Sequence, residues 1–341
     1  MKKKCVLLCT VLFAVVAVGA LWMPASTLAG PIKLSYANFP PAPTFPCVQM
    51  ERWKSEVEKR TGGKVAINTY PGGTLLGAKN MMDGVIAGQA DIGCVCMAYQ
   101  PGRFVVTNAS GLPLGLPSAR VASMVLYDIY QKYQPDSFSK VKVLTMFTTA
   151  PTNIMSKVPV RTLDDIKGLD LRSPGGAVKI LKAWGANPVG MPMPATVEAL
   201  QKGVVKGLFS STEVMKDFKF AESCKYVTLT NTLIVPFSVV MNLDKWNSLP
   251  KDIQMVMDNL RVQQAMWTGA YMDNHVDEAN AWSKSVQGVE FIELAPAEKA
   301  QWDAKLNFVT EGWIQKANEK GLPGEAIVAD IKTFTKMYTG Q

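Results

Sequence analysis

The residue best placed to do chemistry is Arg172, in the run Gly168-Leu169-Asp170-Leu171-Arg172-Ser173-Pro174-Gly175-Gly176. It closes a short predicted strand, just ahead of a Gly/Pro turn and a new helix. A guanidinium is a rigid fork of donors that fits a carboxylate through two parallel charge-assisted bonds. Ligands of α/β sheets gather at strand ends. By spacing alone, an arginine here suits a surface ion pair with a neighbouring acid at least as well. The rest of the chain favours the ligand role, because it supplies an export signal and no catalytic apparatus.

The other reactive residue types do not assemble. The chain has one histidine, His275, which falls mid-way along a long polar-faced predicted helix. It has no cysteine beside it to make a common zinc site and no G-x-S-x-G elbow to make a hydrolytic triad, so it reads as a surface residue. Neither G-x-G-x-x-G nor G-x-x-x-x-G-K-[ST] occurs, which leaves nucleotide cradles without support. Gly72-Gly73 and Gly175-Gly176 read as turns. Asp164 and Asp165 follow Thr162 with the spacing of a capping box, which explains them without catalysis. No cofactor, metal or enzymatic activity is expected.

Composition narrows the class further. Lys2, Lys3 and Lys4 precede an uncharged apolar stretch over 6–21, and Thr27-Leu28-Ala29 offers small residues for cleavage. That is the pattern of a secretory signal peptide over 1–29, which marks the mature protein as exported. Those three lysines also supply part of the formal charge of +8, and the remaining basic residues are scattered among acids. Nucleic-acid binders carry a basic stripe instead. About 310 residues remain, enough for a two-lobed core. Cys47, Cys94, Cys96 and Cys224 stay in the mature chain. A bridge from Cys47 to Cys94 or Cys96 is open, and so are buried free thiols.

Strands are expected at 32–37, 64–70, 90–97 and 141–147, then at 205–210, 226–230 and 237–242. Helices are expected at 47–60, where Met50, Trp53 and Val57 form one stripe, around 79–87, and after Ser118, where Val121, Val125, Ile129 and Tyr133 recur every four residues. A short helix after Thr162 ends at Gly168. Further helices follow at 177–184, 195–202 and 212–220. This βα alternation predicts sheets covered by helices on both faces. From Pro250 to about 287 only Gly269 interrupts helical composition. A helix of about 36 residues would run roughly 54 Å, long enough to brace two lobes or to bend near Gly269.

These elements carry a family resemblance. Thr61-Gly62-Gly63-Lys64-Val65, Tyr70-Pro71-Gly72-Gly73-Thr74-Leu75-Leu76-Gly77 and Gly84 through Gly88 to Asp91 resemble the first lobe of TRAP-transporter solute-binding proteins of the C4-dicarboxylate-binding (DctP-like) type. Leu163-Asp164-Asp165-Ile166-Lys167-Gly168-Leu169-Asp170-Leu171-Arg172, Glu198 to Gly207 and Trp246-Asn247-Ser248-Leu249-Pro250 extend the resemblance in the same order along nearly the whole chain. It implies an α/β two-lobed periplasmic-binding-protein clamshell, with hinge strands and a long helix spanning both lobes. Lobe I would comprise 30–150 plus about 237–270, and lobe II 151–236 plus about 271–341. It also implies capture of an organic acid in the cleft, delivery to the small and large membrane subunits of a TRAP permease, and a carboxylate clamp at Arg172. A sensory receptor on the same scaffold and an exported enzyme for small acids are the alternatives.

Departures from the family pattern bear on the ligand. The second arginine that many members carry falls near Pro151 and Thr152, where this chain has none. Lys206 replaces the usual acid, and the frequent asparagine falls near Ser210 and Ser211. Polar groups that some members place in the first lobe fall near Ala78 and Cys96. Met193 stands where a phenylalanine commonly packs on the ligand. One clamp survives while its polar surroundings thin, which points to a monocarboxylate with an apolar or aromatic body. Phe39, Phe45, Tyr99, Met193 and Phe209 are the expected walls, with ordinary core packing as the alternative for each.

Overall fold

The computed structural model describes residues 30–340, so the export-signal reading of 1–29 lies outside the described residues. The chain first lays down β1 (Ile32–Ala37), α1 (Phe45–Arg60), β2 (Val65–Tyr70), α2 (Met81–Ile86), β3 (Ile92–Cys96), α3 (Val105–Asn108), α4 (Ala119–Tyr133) and β4 (Val141–Thr148). It then crosses to a second sheet through β5 (Asn153–Ser156), β6 (Asp170–Ser173), α5 (Val178–Trp184), β7 (Asn187–Gly190), α6 (Ala195–Gln201), β8 (Gly207–Ser210), α7 (Val214–Asp217) and β9 (Tyr226–Leu229). It returns as β10 (Pro236–Asn242), α8 (Leu243–Ser248) and α9 (Lys251–Ser285), and ends with β11 (Glu290–Glu293), α10 (Pro296–Ala304), α11 (Asn307–Glu319) and α12 (Gly324–Thr339).

Two sheets result, one per lobe. The first has the order β2-β1-β3-β10-β4 and the second β11-β9-β5-β8-β6-β7. β10 lies antiparallel between β3 and β4, with Phe237 opposite Cys96 on one side and Phe147 on the other. In the second sheet β6 runs parallel to β7 and β8, which sets Arg172 beside Val189 and Leu208. The apolar stripe expected on α1 is buried: Met50, Trp53 and Val57 face the sheet, and the Trp53 ring meets Tyr36 edge-on at 5.9 Å. Ser118 caps α4 by accepting from the Val121 amide at 3.2 Å.

Two segments carry the chain between the sheets and pair with each other. The Thr149 amide donates to Val235 O and the Thr152 amide to Leu233 O, at 3.0 and 2.8 Å, while the Thr232 amide returns a bond to Thr152 O. A third connection is α9, 35 residues in one unbroken helix, about 53 Å long at 1.5 Å per residue. Its first half packs on α1, α4 and β4, and its second half reaches α7. It does not stop at Gly269. That glycine is where the start of α4 crosses the helix, and a Cβ there would sit 2.6 Å from the Arg120 Cα. One turn on, the Asp273 carboxylate accepts from the Ala119 and Arg120 amides at 2.7 and 3.0 Å, so α9 itself neutralises the open N-terminus of α4.

Three expectations need correction. The segment after Thr162 is a turn and not a helix. Asp165 accepts from the Arg161 and Thr162 amides and from the Thr162 hydroxyl, closing a loop too short to propagate. The helix expected at 212–220 shrinks to α7, followed by a turn in which Lys219 takes a positive φ of 57°. The C-terminal helix does not stay with the second lobe: α12 lies on α4, where Asp330 accepts from Lys132 and Tyr133 and Tyr338 donates to Asp128. Cys47, Cys94, Cys96 and Cys224 are all buried and free. Among the described residues no helix is long and apolar enough to cross a membrane.

The crossing at Gly269 yields a paired test. Gly269→Ala should destabilise by about 1–2 kcal/mol, because overpacking against backbone outweighs a helix-propensity gain of about 1 kcal/mol. Gly312→Ala, in α11 with nothing within 4 Å of the new methyl, should stabilise by up to about 1 kcal/mol. Urea unfolding of both variants checks the contrast, and equal gains would show that the crossing is not tight.

Candidate functional site

β6 delivers Arg172 to the space between the sheets. The side chain is 1 % exposed, although it carries a full charge. Its Nε donates to Met191 O, just past β7, at 3.0 Å, and Nη2 reaches the Tyr99 hydroxyl of the other lobe at 3.4 Å. That hydroxyl also accepts from the Met193 amide at 2.9 Å. With two donors already pointing at its oxygen, the phenol has its own proton left to give. Desolvation holds the Tyr99 phenol well above its ordinary range, with the nearby Arg172 charge opposing, so it stays a donor at neutral pH. Among the described residues no carboxylate forms an ion pair with Arg172; the acid nearest in role, Asp217, pairs with His275.

Around this guanidinium lies a cavity of about 50 Å³. That is several times the room one water needs. The first lobe contributes Phe39, Phe45, Cys96, Tyr99 and Phe237 to its wall; the second contributes Arg172, Met193, Ser210, Glu213 and Asp217. The rings form one cluster centred on Phe237, which stacks on Phe147 at 5.2 Å and on Phe39 at 6.4 Å and meets Phe45 edge-on at 5.8 Å. Phe39 also meets the Tyr99 ring at 5.6 Å. Edge and stacked contacts of this kind lock ring orientation and leave a smooth apolar wall. The Cys96 thiol is pushed up to about 12 by burial, so it is a neutral wall group and not a nucleophile.

Seven of the ten residues expected at the site line this cavity: Arg172, Phe39, Phe45, Cys96, Tyr99, Met193 and Ser210. Three do not. Phe209 lies on β8 one residue from Ser210, and strand alternation turns it to the other face, where it packs edge-on against Trp184 at 5.6 Å. Ser211 is fully buried and not part of the wall, with its hydroxyl beside the Glu213 carboxyl. Thr152 belongs to the connection between the sheets, where its hydroxyl accepts from the Leu233 amide. Phe237, Glu213 and Asp217 were not anticipated. Phe237 could have been found only by knowing that β10 inserts beside β3. Glu213 and Asp217 look in sequence like ordinary acids around a helix.

His275 also requires correction. It is 8 % exposed, not a surface residue, and its Nε2 lies 2.7 Å from Asp217 Oδ1. The hydrogen bond to Asp217 raises its pKa, against the cost of burial. Glu213 is 2 % exposed, and burial raises its carboxyl to about 8, with the Asp217 charge adding to the shift. The Ser211 hydroxyl beside the carboxyl opposes the shift, and Oε2 has no hydrogen-bond partner among the described residues.

With this geometry in view, comparison with known proteins is decisive. The model of the bacterial extracellular solute-binding protein family 7 (DctP) matches residues 40–316. The chain belongs to that family. A TRAP periplasmic solute-binding protein of Desulfovibrio salexigens, solved as an open complex, is 56% identical, with 92% of this chain and 98% of that one covered and a TM-score of 0.82. A TRAP solute-binding protein from a marine metagenome, specific for aromatic acid ligands and solved with metahydroxyphenylacetate, is 29% identical over 90% of this chain and 99% of that one, with a TM-score of 0.86. The C4-dicarboxylate-binding periplasmic protein DctP of Rhodobacter capsulatus is 24% identical over 93% of this chain and 94% of its own. The family is one of transport receptors and not of enzymes, and its two-lobed architecture is the one seen here.

The acids of the cavity set a pH dependence. Folding raises Glu213 to about 8 and raises His275 in the same direction. The folded protein therefore holds protons that the unfolded chain releases. Stability from Glu213 is full below the ordinary carboxyl value, declines as pH rises, and is gone above about 8. The melting temperature of the unliganded protein, measured from pH 5 to 8.5, should fall less steeply in Glu213→Gln than in the wild type. Parallel curves would refute the assignment.

Proposed function

We propose that this protein captures a monocarboxylate with an apolar or aromatic body between its two lobes and delivers it to the small and large membrane subunits of a TRAP permease in the periplasm. The observation that carries the reading is the buried guanidinium of Arg172, which has hydrogen bonds to Met191 O and Tyr99 but no carboxylate partner of its own. A buried charge without a counter-ion is costly. An anionic ligand supplies the counter-ion, and the Tyr99 proton supplies a second bond to it. The aromatic wall around Phe237 then suits an apolar body, and the small cavity suits a compact one. The likeness to a receptor for aromatic acids supports the same class.

On this reading Arg172, Tyr99, Met193, Ser210, Phe39, Phe45 and Cys96 contact the ligand. The lobes are 30–150 with about 237–270, and 151–236 with the start of the C-terminal region up to α11. Tyr99 and Arg172 come from different lobes, so a ligand held by both favours the closed arrangement over the open one. No catalytic step is needed.

Thermal melting of the unfolded and refolded protein against diacids, sugar acids, keto acids and aromatic acids tests the reading. An aromatic monoacid at 100 times its Kd should add about 2.7 kcal/mol. Arg172→Met should abolish that shift while leaving the unliganded protein as stable or more so, because it replaces an uncompensated buried charge with an apolar chain. Preference for a diacid or sugar acid, or a shift that persists in Arg172→Met, would overturn it.

A further inference from the structure

We propose that Glu213 is a second recognition group of this cavity, binding a hydroxyl carried by the apolar body of the ligand. The inference rests on the carboxylate reading above and adds the polar feature that the ligand must possess. Glu213 lines the cavity, and its side chain is almost wholly withdrawn from solvent. Its Oε2 finds no partner among the described residues. Buried polar atoms are nearly always hydrogen-bonded, and one left over beside a cavity calls for a group inside that cavity.

The chemistry of that group follows from the charges around it. Asp217, four residues on, also lines the cavity, and its Oδ1 is engaged by His275 from α9 at 2.7 Å. His275 is held toward its protonated form by that contact, so it matches the Asp217 charge. Arg172 is matched by the ligand carboxylate. Glu213 has no cation of its own, and burial keeps it largely protonated at neutral pH. A neutral carboxyl is at once a donor and an acceptor, and a hydroxyl is its complement. An ammonium group would instead require Glu213 to ionise next to Asp217. Val214, Phe218 and Phe237 are apolar parts of the same lining, and the polar groups beside Glu213 are Ser210, the Ser211 hydroxyl and the second Asp217 oxygen.

Isothermal titration calorimetry at pH 7 should compare benzoate and phenylacetate with their 3- and 4-hydroxy derivatives and with 3-(aminomethyl)benzoate. The wild type is expected to bind at least one hydroxylated acid tenfold or more tightly than its parent. In Glu213→Leu that ratio should fall below threefold. Glu213→Gln, which keeps one donor and one acceptor in place, should fall between. If Glu213→Leu does not fold, the Gln variant decides, with at least a threefold drop in the ratio expected. A wild-type ratio near one, a ratio unchanged in the variants, or a gain confined to the aminomethyl acid would overturn the proposal. Binding of the parent acids that depends on Arg172 keeps the carboxylate reading intact in each of those cases. Absence of binding by every acid would instead sink that reading, and this inference with it.

Discussion

A guanidinium that is 1 % exposed and has no carboxylate partner among the described residues is the constraint around which this protein is arranged. Its burial costs several kcal/mol by general estimates unless its donors are satisfied. The chain answers with a backbone carbonyl past β7 and with a tyrosine hydroxyl from the opposite lobe. Neither carries a countercharge. Groups from both lobes therefore orient the arginine without neutralising it.

The walls divide their labour by sheet. The first lobe brings rings: Phe39, Phe45 and Phe237 with Phe147 behind them form a stacked and edge-on cluster that fixes shape. The second brings polar and ionisable groups, Arg172, Glu213 and Asp217, with His275 reaching Asp217 from the helix that spans both. Because α9 carries Gly269 against α4 in one lobe and His275 against α7 in the other, the acidic side of the cavity is mechanically referenced to the aromatic side.

Much of this was legible in the sequence, for identifiable reasons. Helical periodicity marked α1 and α4 because each buries one stripe, and Ser118 announced the start of α4. Arg172 stood out because it sits inside a family motif, since by its spacing alone a surface ion pair suited it at least as well. Phe39 and Phe45 were legible from their loop. What stayed hidden depended on contacts remote in sequence. Phe209 and Ser210 differ only in which face of β8 they occupy, and nothing local fixes that parity. His275 looked like a surface residue because its partner, Asp217, lies 58 positions away on another element. Glu213 looked like a first-turn acid, since acids there are common for dipole reasons alone.

β10 lies inside the first sheet, between β3 and the edge strand β4, yet it follows all but one strand of the second in the chain. A nascent polypeptide emerging N-terminus first can pair β1 with β3, but β4 has nowhere to bind until residues 236–242 arrive. Until then the edges of β3 and β4 stay open, and Phe147 has no ring to stack on. Completion of the aromatic wall is thus deferred to the last third of synthesis, and the dominance of such long-range pairings predicts slow, late, cooperative folding in which the first lobe cannot mature ahead of the second. Fragments ending before residue 236 would present unpaired strands, so the order of β10 in the chain ties formation of the aromatic wall to the arrival of residues 236–242.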